Sequence, residues 1–174
     1  VAKPVKQELD AEPLTEREPS AQVEASVEKL EETIDETDAS VYTGSVKIEA
    51  TEDIAKLEGI KTVSGSLTIR ASSLVMLHGL AALETITGDL VVDGCEALTS
   101  FRGIGGLKAI GRNMVVRGNG SLRSFAGLES LETIGGGIRI QGNSALIDVN
   151  MLKYLKVVGA DLDLADNDSL GTLW

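Results

Sequence analysis

From residue 41 onward the apolar residues follow two alternating rhythms. A trio of the form apolar-x-apolar comes first, followed by a run of apolar residues at every third position. Leu90-Val91-Val92 opens one such unit, and Met114-Val115-Val116, Ile138-Arg139-Ile140 and Leu162-Asp163-Leu164 follow at 24-residue steps. Earlier copies, Leu67-Thr68-Ile69 and Val46-Lys47-Ile48, lie upstream at slightly shorter steps. The third-position residues keep the same step. Leu74, Leu98, Leu122, Leu146 and Leu170 make one column, and Leu77, Phe101, Phe125, Val149 and Leu173 make the next. Further columns run through Leu80, Ile104, Leu128 and Leu152, then Leu83, Leu107, Leu131 and Leu155, then Ile86, Ile110, Ile134 and Val158. Ile54, Leu57, Ile60 and Val63 supply a weaker first copy.

A fixed period of this length predicts a solenoid in which each repeat is one coil stacked on its neighbour. The trio alternates with period two, so it predicts a short strand whose first and third side chains point inward. Stacked in register, these strands make one parallel sheet face across about five to six coils, and the fold is mainly β. Gly59, Gly79, Gly103 and Gly127 fall in the return segment, and Asn150 is read as their replacement in the fifth copy. Gly65, Gly88 and Gly111 precede strands, where positive φ is expected of them. Asn119, Asn143 and Asn167 form an inward column with Cys95 one coil earlier, read as a structural ladder that satisfies backbone groups between coils. Cys95 is then a small, inert, buried residue.

Residues 1–40 depart from this rhythm. They carry 12 acidic and 4 basic residues, so most of the chain's net charge of −11 sits there. All three prolines, Pro4, Pro13 and Pro19, lie within residues 1–20, which offer too little apolar surface to offset the entropy of ordering and read as a disordered tail. Val23, Val27, Leu30 and Ile34 are spaced for one helical face, so residues 21–40 read as an acidic amphipathic helix and linker. The expected role of that helix is to cap the open end of a solenoid spanning 41–174.

Outward side chains of a solenoid sheet stand in columns, and these are its natural binding surface. One column reads Lys47, Thr68, Val91, Val115, Arg139, Asp163, and the next reads Glu49, Arg70, Asp93, Arg117, Gln141. The alternating signs of the second predict ion pairs between coils. Arg70, Val91, Val115, Arg117 and Arg139 are the candidate contact residues, although no aromatic side chain stands among them.

Candidate chemistry is sparse. The acidic balance disfavours nucleic acid as a partner, and no apolar run approaches the roughly 20 residues of a membrane-spanning helix. His78 is the sole histidine and Cys95 the sole cysteine, and no nucleophile carries a recognisable flanking motif. Gly135-Gly136-Gly137 lacks the Gly-Lys-Ser/Thr of a phosphate loop. Asp161, Asp163, Asp166 and Asp168 read as a solvated acidic end, since the glycine and terminal glutamate of a calcium loop are missing. The sequons at Asn119 and Asn167 read as by-products of the ladder. The expectation is a non-enzymatic protein with no metal and no cofactor.

One further observation bears on class. Leu131-x-x-Ile134-x-Gly136-x-Ile138-x-Ile140-x-x-Asn143-x-x-Leu146 resembles the repeat of the receptor L-domain family, over roughly residues 41–173. The resemblance implies a right-handed, leucine-rich-repeat-like β-helix that binds a protein or other ligand at a cell surface or outside the cell, with the cytoplasm as the other compartment open to it. The family's terminal disulfides have no internal counterpart here. The remaining expectation is a structural solenoid that associates with other copies through an uncapped end, unless Leu173 and Trp174 close the stack themselves or further sequence once followed.

Overall fold

A computed structural model describes residues 38–171, together with Ala25 and Glu28, which are helical. The expected tail over 1–20, most of the expected helix over 21–40 and the chain end at Leu173 and Trp174 lie outside the described residues. Among those described, the chain is a β-solenoid of about five turns.

Each turn contributes one strand to each of two parallel sheets, not to one. The broad sheet is the expected one. It stacks β2 (Val46–Ile48), β4 (Leu67–Ile69), β6 (Leu90–Asp93), β8 (Met114–Arg117), β10 (Ile138–Gln141) and β12 (Leu162–Asp163) in that order. The narrow sheet stacks the two-residue strands β1 (Val41–Tyr42), β3 (Thr62–Val63), β5 (Thr85–Ile86), β7 (Ala109–Ile110), β9 (Thr133–Ile134) and β11 (Val157–Val158). The second sheet escapes notice in the sequence because its strands are only two residues long and three of the six bury a single side chain. Val63, Ile86, Ile110 and Ile134 are each fully buried, but one inward residue sets no period-two signal.

The two connections between the sheets behave differently along the stack. From the start of a narrow strand to the start of the next broad strand the chain always makes the same short advance, as in Val41 to Val46 and Thr133 to Ile138. From broad strand to next narrow strand the advance grows, from Val46 to Thr62, then Leu67 to Thr85, then Leu90 to Ala109. All the variation in period therefore falls in the return segment, and the corner between sheets is invariant.

Backbones of neighbouring coils come into close contact at this corner. Gly65, Gly88 and Gly111 occupy this corner, yet none has positive φ. A Cβ at Gly65 would lie 2.5 Å from the Gly44 carbonyl carbon, and one at Gly111 would overlap the Thr87 carbonyl. The expected positive φ is thus replaced by a different requirement: neighbouring coils touch backbone to backbone, and a side chain at these positions would push them apart. Positive φ instead belongs to Gly79, Gly103 and Gly127 in the return, with φ of 106, 108 and 108°, and to Gly94, Gly118 and Gly142 just after the broad strands. Asp166 takes the equivalent left-handed place in the last turn, at φ 55°.

The fifth return also corrects its reading. The return position that Gly127 holds in the preceding turn falls to Met151, and neither it nor Asn150 has positive φ. The segment Asn150–Tyr154 is a 3-10 helix, and Thr51–Leu57 in the first turn is another. The two differ in that the first is followed by Gly59, at φ 77°, whereas the fifth return has no glycine. In the first of these helices the Asp53 carboxylate pairs with Lys56 at 2.7 Å and accepts the N–H groups of Glu49 and Ala50. Those contacts, Lys56 foremost, pull its pKa down to about 2.

The core is a single aliphatic column set, closed off at the return by Phe101 and Phe125, whose rings stack with centroids 5.0 Å apart. Gly127→Ala would add both left-handed strain and a collision with the Phe101 carbonyl. We expect a loss of roughly 2–4 kcal/mol, read as a lower urea midpoint at unchanged slope. Gly120→Ala, with open space around its Cβ and no positive φ, should stay within about 0.5 kcal/mol.

Candidate functional site

Two side-chain ladders hold the coils in register, and they fix where every outward residue stands. In the first, Asn119 Oδ1 accepts the Cys95 N–H at 2.8 Å, and Asn143 Oδ1 accepts the N–H of Asn119 at 3.1 Å and its side-chain amide at 3.0 Å. Asn167 Oδ1 does the same for Asn143. The amides of Asn119, Asn143 and Asn167 also donate to the carbonyls of Val92, Val116 and Ile140. All three asparagines are buried, so in the folded chain neither sequon nitrogen is open to a glycan. Cys95 begins the column, its thiol donating to the Ile69 carbonyl at 3.4 Å, and burial pushes that thiol's pKa up.

The second ladder lies at the invariant corner and runs the opposite way. Ser45, Ser66, Asp89 and Asn113 each offer a side-chain oxygen to a backbone N–H of the following coil. The recipients are Ser66, Asp89, Asn113 and Gly137, all at 2.9 Å. Sequence reasoning missed this column because its members differ in type, although their spacing follows the repeat from coil to coil.

On the broad sheet's outer face, the candidate residues stand in register as neighbours. Val91 pairs with Val115, and Val115 with Arg139. Their charges are largely answered within the sheet. Asp93 Oδ2 meets Arg70 at 3.0 Å and Arg117 at 2.9 Å, so one carboxylate bridges two coils. Arg139 lies 3.6 Å from Asp163, which also accepts from Gln141 at 2.6 Å. Arg117, and secondarily Arg70, hold the Asp93 carboxyl below the usual carboxylate range. What the face presents is a half-buried valine pair framed by ion pairs.

A third charged column escaped the sequence reading. Glu84 pairs with Lys108, and Glu132 with Lys156 at 2.8 Å, beside the narrow sheet. With Lys61 they alternate in sign at the repeat spacing, a pattern visible in the sequence once that edge is known to be a sheet.

The return face is different. Val75, Met76 and Ile147 are exposed there, as are His78, Arg102 and Arg123. Beside Ile147 a shallow pocket of about 110 Å³ is lined by Phe125, Ala126, Asp148, Met151 and Tyr154 among others. No group of three metal-ligating side chains occurs among the described residues. No helix among them is long and apolar enough to cross a membrane.

Fold and surfaces together define a β-solenoid. No family model, no curated protein and no solved structure matches the chain.

Asn143→Ala would strand the buried Asn119 N–H and the Val116 carbonyl. At roughly 1–3 kcal/mol per orphaned group the loss should be about 2–6 kcal/mol, measurable by denaturant unfolding. Asp93 adds a pH dependence. Because its folded pKa lies below the ordinary value near 3.8, its contribution is present above that value and is lost as pH falls through the folded pKa. Asp93→Asn should flatten that part of the acid limb in stability measured against pH.

Proposed function

We propose that this chain is a non-enzymatic recognition module of the receptor L-domain kind, displayed at a cell surface or envelope. It would bind a protein or other ligand through the outer face of the broad sheet. The observation that carries this reading is the register of that face. Six parallel strands stack their outward side chains in unbroken columns on a scaffold locked by two hydrogen-bond ladders, and such preorganisation lowers the entropic cost of binding. The repeat built on Leu131, Ile134, Gly136, Ile138, Ile140, Asn143 and Leu146 supports the family reading. Arg70, Val91, Val115, Arg117 and Arg139 are the proposed contacts.

Selection of displayed protein domains against the folded chain should enrich a shared binding surface, and Arg117→Glu combined with Arg139→Glu should abolish capture. Because each exchange sets a second carboxylate beside Asp93 or Asp163, the melting midpoint should also fall, and capture is compared well below it. Retained capture would move the site off the sheet. Absence of any enrichment over heat-denatured protein would remove the recognition reading altogether.

One observation favours a second reading, self-association through the last turn. Among the described residues β11 and β12 are the last strands of the two sheets, and Val158 and Leu162 are 38% and 48% exposed there. Unpaired strand edges with apolar side chains favour association. Light scattering on a sizing column should then show mass rising with concentration, and a strict monomer would end this alternative.

A further inference from the structure

We propose a second docking surface, on the return face, for an extended acidic segment of a partner protein with the pattern apolar-x-acidic-x-apolar. The inference is independent of whether the broad sheet binds anything.

The first ground is where apolar side chains are left in water. Six large apolar residues are exposed among those described. Two belong to the last turn's edge. The other four, Val75 at 50%, Met76 at 46%, Ile147 at 63% and Tyr154 at 41%, all lie on the return segments. Elsewhere on the described surface the solenoid buries its large apolar side chains or half-covers them, as with Val91 and Val115.

The second ground is charge. Beside the sheets several cations are answered by acids of a neighbouring coil, Arg70 and Arg117 by Asp93, Lys108 by Glu84 and Lys156 by Glu132, while Lys47 and Lys61 have no ion pair among the described residues. Arg102 and Arg123, on the return face, have no carboxylate within ion-pair reach among the described residues. They sit in adjacent coils, with exposed His78 in the coil before Arg102. Two solvated arginines flanked by bare apolar groups have the composition of a binding hot spot.

The third ground is spacing. Val75, Thr99, Arg123 and Ile147 occupy one column, with Arg123 donating its N–H to the Thr99 carbonyl and Ile147 to the Arg123 carbonyl, both at 3.0 Å. At about 4.8 Å per coil, Val75 and Ile147 stand about 14 Å apart. An extended chain advances about 3.3 Å per residue and turns alternate side chains to one face. Its first and fifth residues, about 13 Å apart, would reach Val75–Met76 at one end and Ile147 with the Tyr154 pocket at the other. The third residue then falls over Arg102 and Arg123, where a carboxylate is the complementary group.

The same geometry argues against other occupants. A second copy would set arginine against arginine. A continuous polyanion would meet Glu129 and Asp148, whose carboxylates are held in place by the backbone N–H groups of Gly127 and Asn150. It would also leave the apolar ends unused.

The test is fluorescence anisotropy of a labelled peptide with leucines two positions either side of a glutamate, titrated with the full chain. Saturable binding that weakens with salt is expected, about tenfold weaker for Arg102→Glu with Arg123→Glu and likewise for Ile147→Asp. It should be unchanged for Arg117→Glu with Arg139→Glu. Ile147→Asp, at a highly exposed position, keeps the test open should the arginine variant fold poorly. No binding, or equal binding of a peptide with lysine in place of glutamate, would overturn the proposal. So would tighter binding of a sulfated polysaccharide or an oligonucleotide at the same arginines. Peptide binding lost only in the Arg117/Arg139 variant would remove this surface and leave the sheet-face reading standing. Binding lost only in the return-face variants would establish this surface whatever the sheet does.

Discussion

Everything in this fold depends on how closely one coil can lie on the next at the corner between its two sheets. Parallel strands pair at about 4.8 Å, and the backbone turning from one sheet to the other keeps that spacing, at several of its closest approaches by having no side chain. Gly65, Gly88 and Gly111 are such points, since a Cβ there would run into the preceding coil's backbone. The same short advance recurs at this corner in every turn, including the one in which Arg112 stands in line with Gly88. The return carries no such restriction over most of its path. It lengthens over the first turns of the stack and swells into 3-10 helices in the first and fifth turns. A solenoid of this kind is rigid on two sides and adjustable on the third.

Close approach leaves polar groups with nowhere to turn but to each other, and the two ladders answer that. They run in opposite senses. Corner side chains accept from the following coil, whereas the buried asparagines accept from the preceding one. Each interface between middle coils is thus held from both directions. A one-residue slip would leave buried amides unsatisfied at roughly 1–3 kcal/mol each, on top of turning the inward side chains out to solvent. Hydrophobic burial alone would not choose among registers so sharply, because the inward columns are nearly uniform in leucine, isoleucine and valine. Asparagine suits the task because it both donates and accepts. Cys95 ends the column where only a small buried residue is needed.

The columns, the period and the broad sheet were legible in the sequence because each rests on side chains repeating at fixed steps. The asparagine column was legible for the same reason. The ion pairs from Arg70 through Arg117 followed from adjacency in a parallel sheet. What escaped was whatever depends on the backbone alone, or on residues that play one part with different side chains. The narrow sheet has strands of only two residues. The corner ladder mixes Ser, Asp and Asn. The corner glycines looked like turn glycines because sequence cannot separate a need for positive φ from a need for no Cβ. The register of Met151, next to Asn150, was lost where the repeat's glycine is missing. The return face was hidden for a related reason. Which third-position neighbours are covered and which are bare depends on how far each return swings outward, and no periodicity reports that.

These differences bear on how the two surfaces could recognise anything. A ligand on the broad sheet must work against interactions already made. Taking Arg117 from Asp93 would leave a carboxylate, only 23% exposed, without one of its two partners, and dehydrating an intact pair has its own cost. Recognition there would rest chiefly on shape, on the valines and on leaving the ion pairs in place, which favours a flat partner and modest dependence on salt. On the return face Arg102 and Arg123 have no pair to break, so an incoming carboxylate makes its contact without displacing another. Salt dependence should be stronger there, because those charges are solvated before binding and their attraction is screened within a Debye length. The sign and steepness of a salt titration therefore separate the two faces even before any residue is changed.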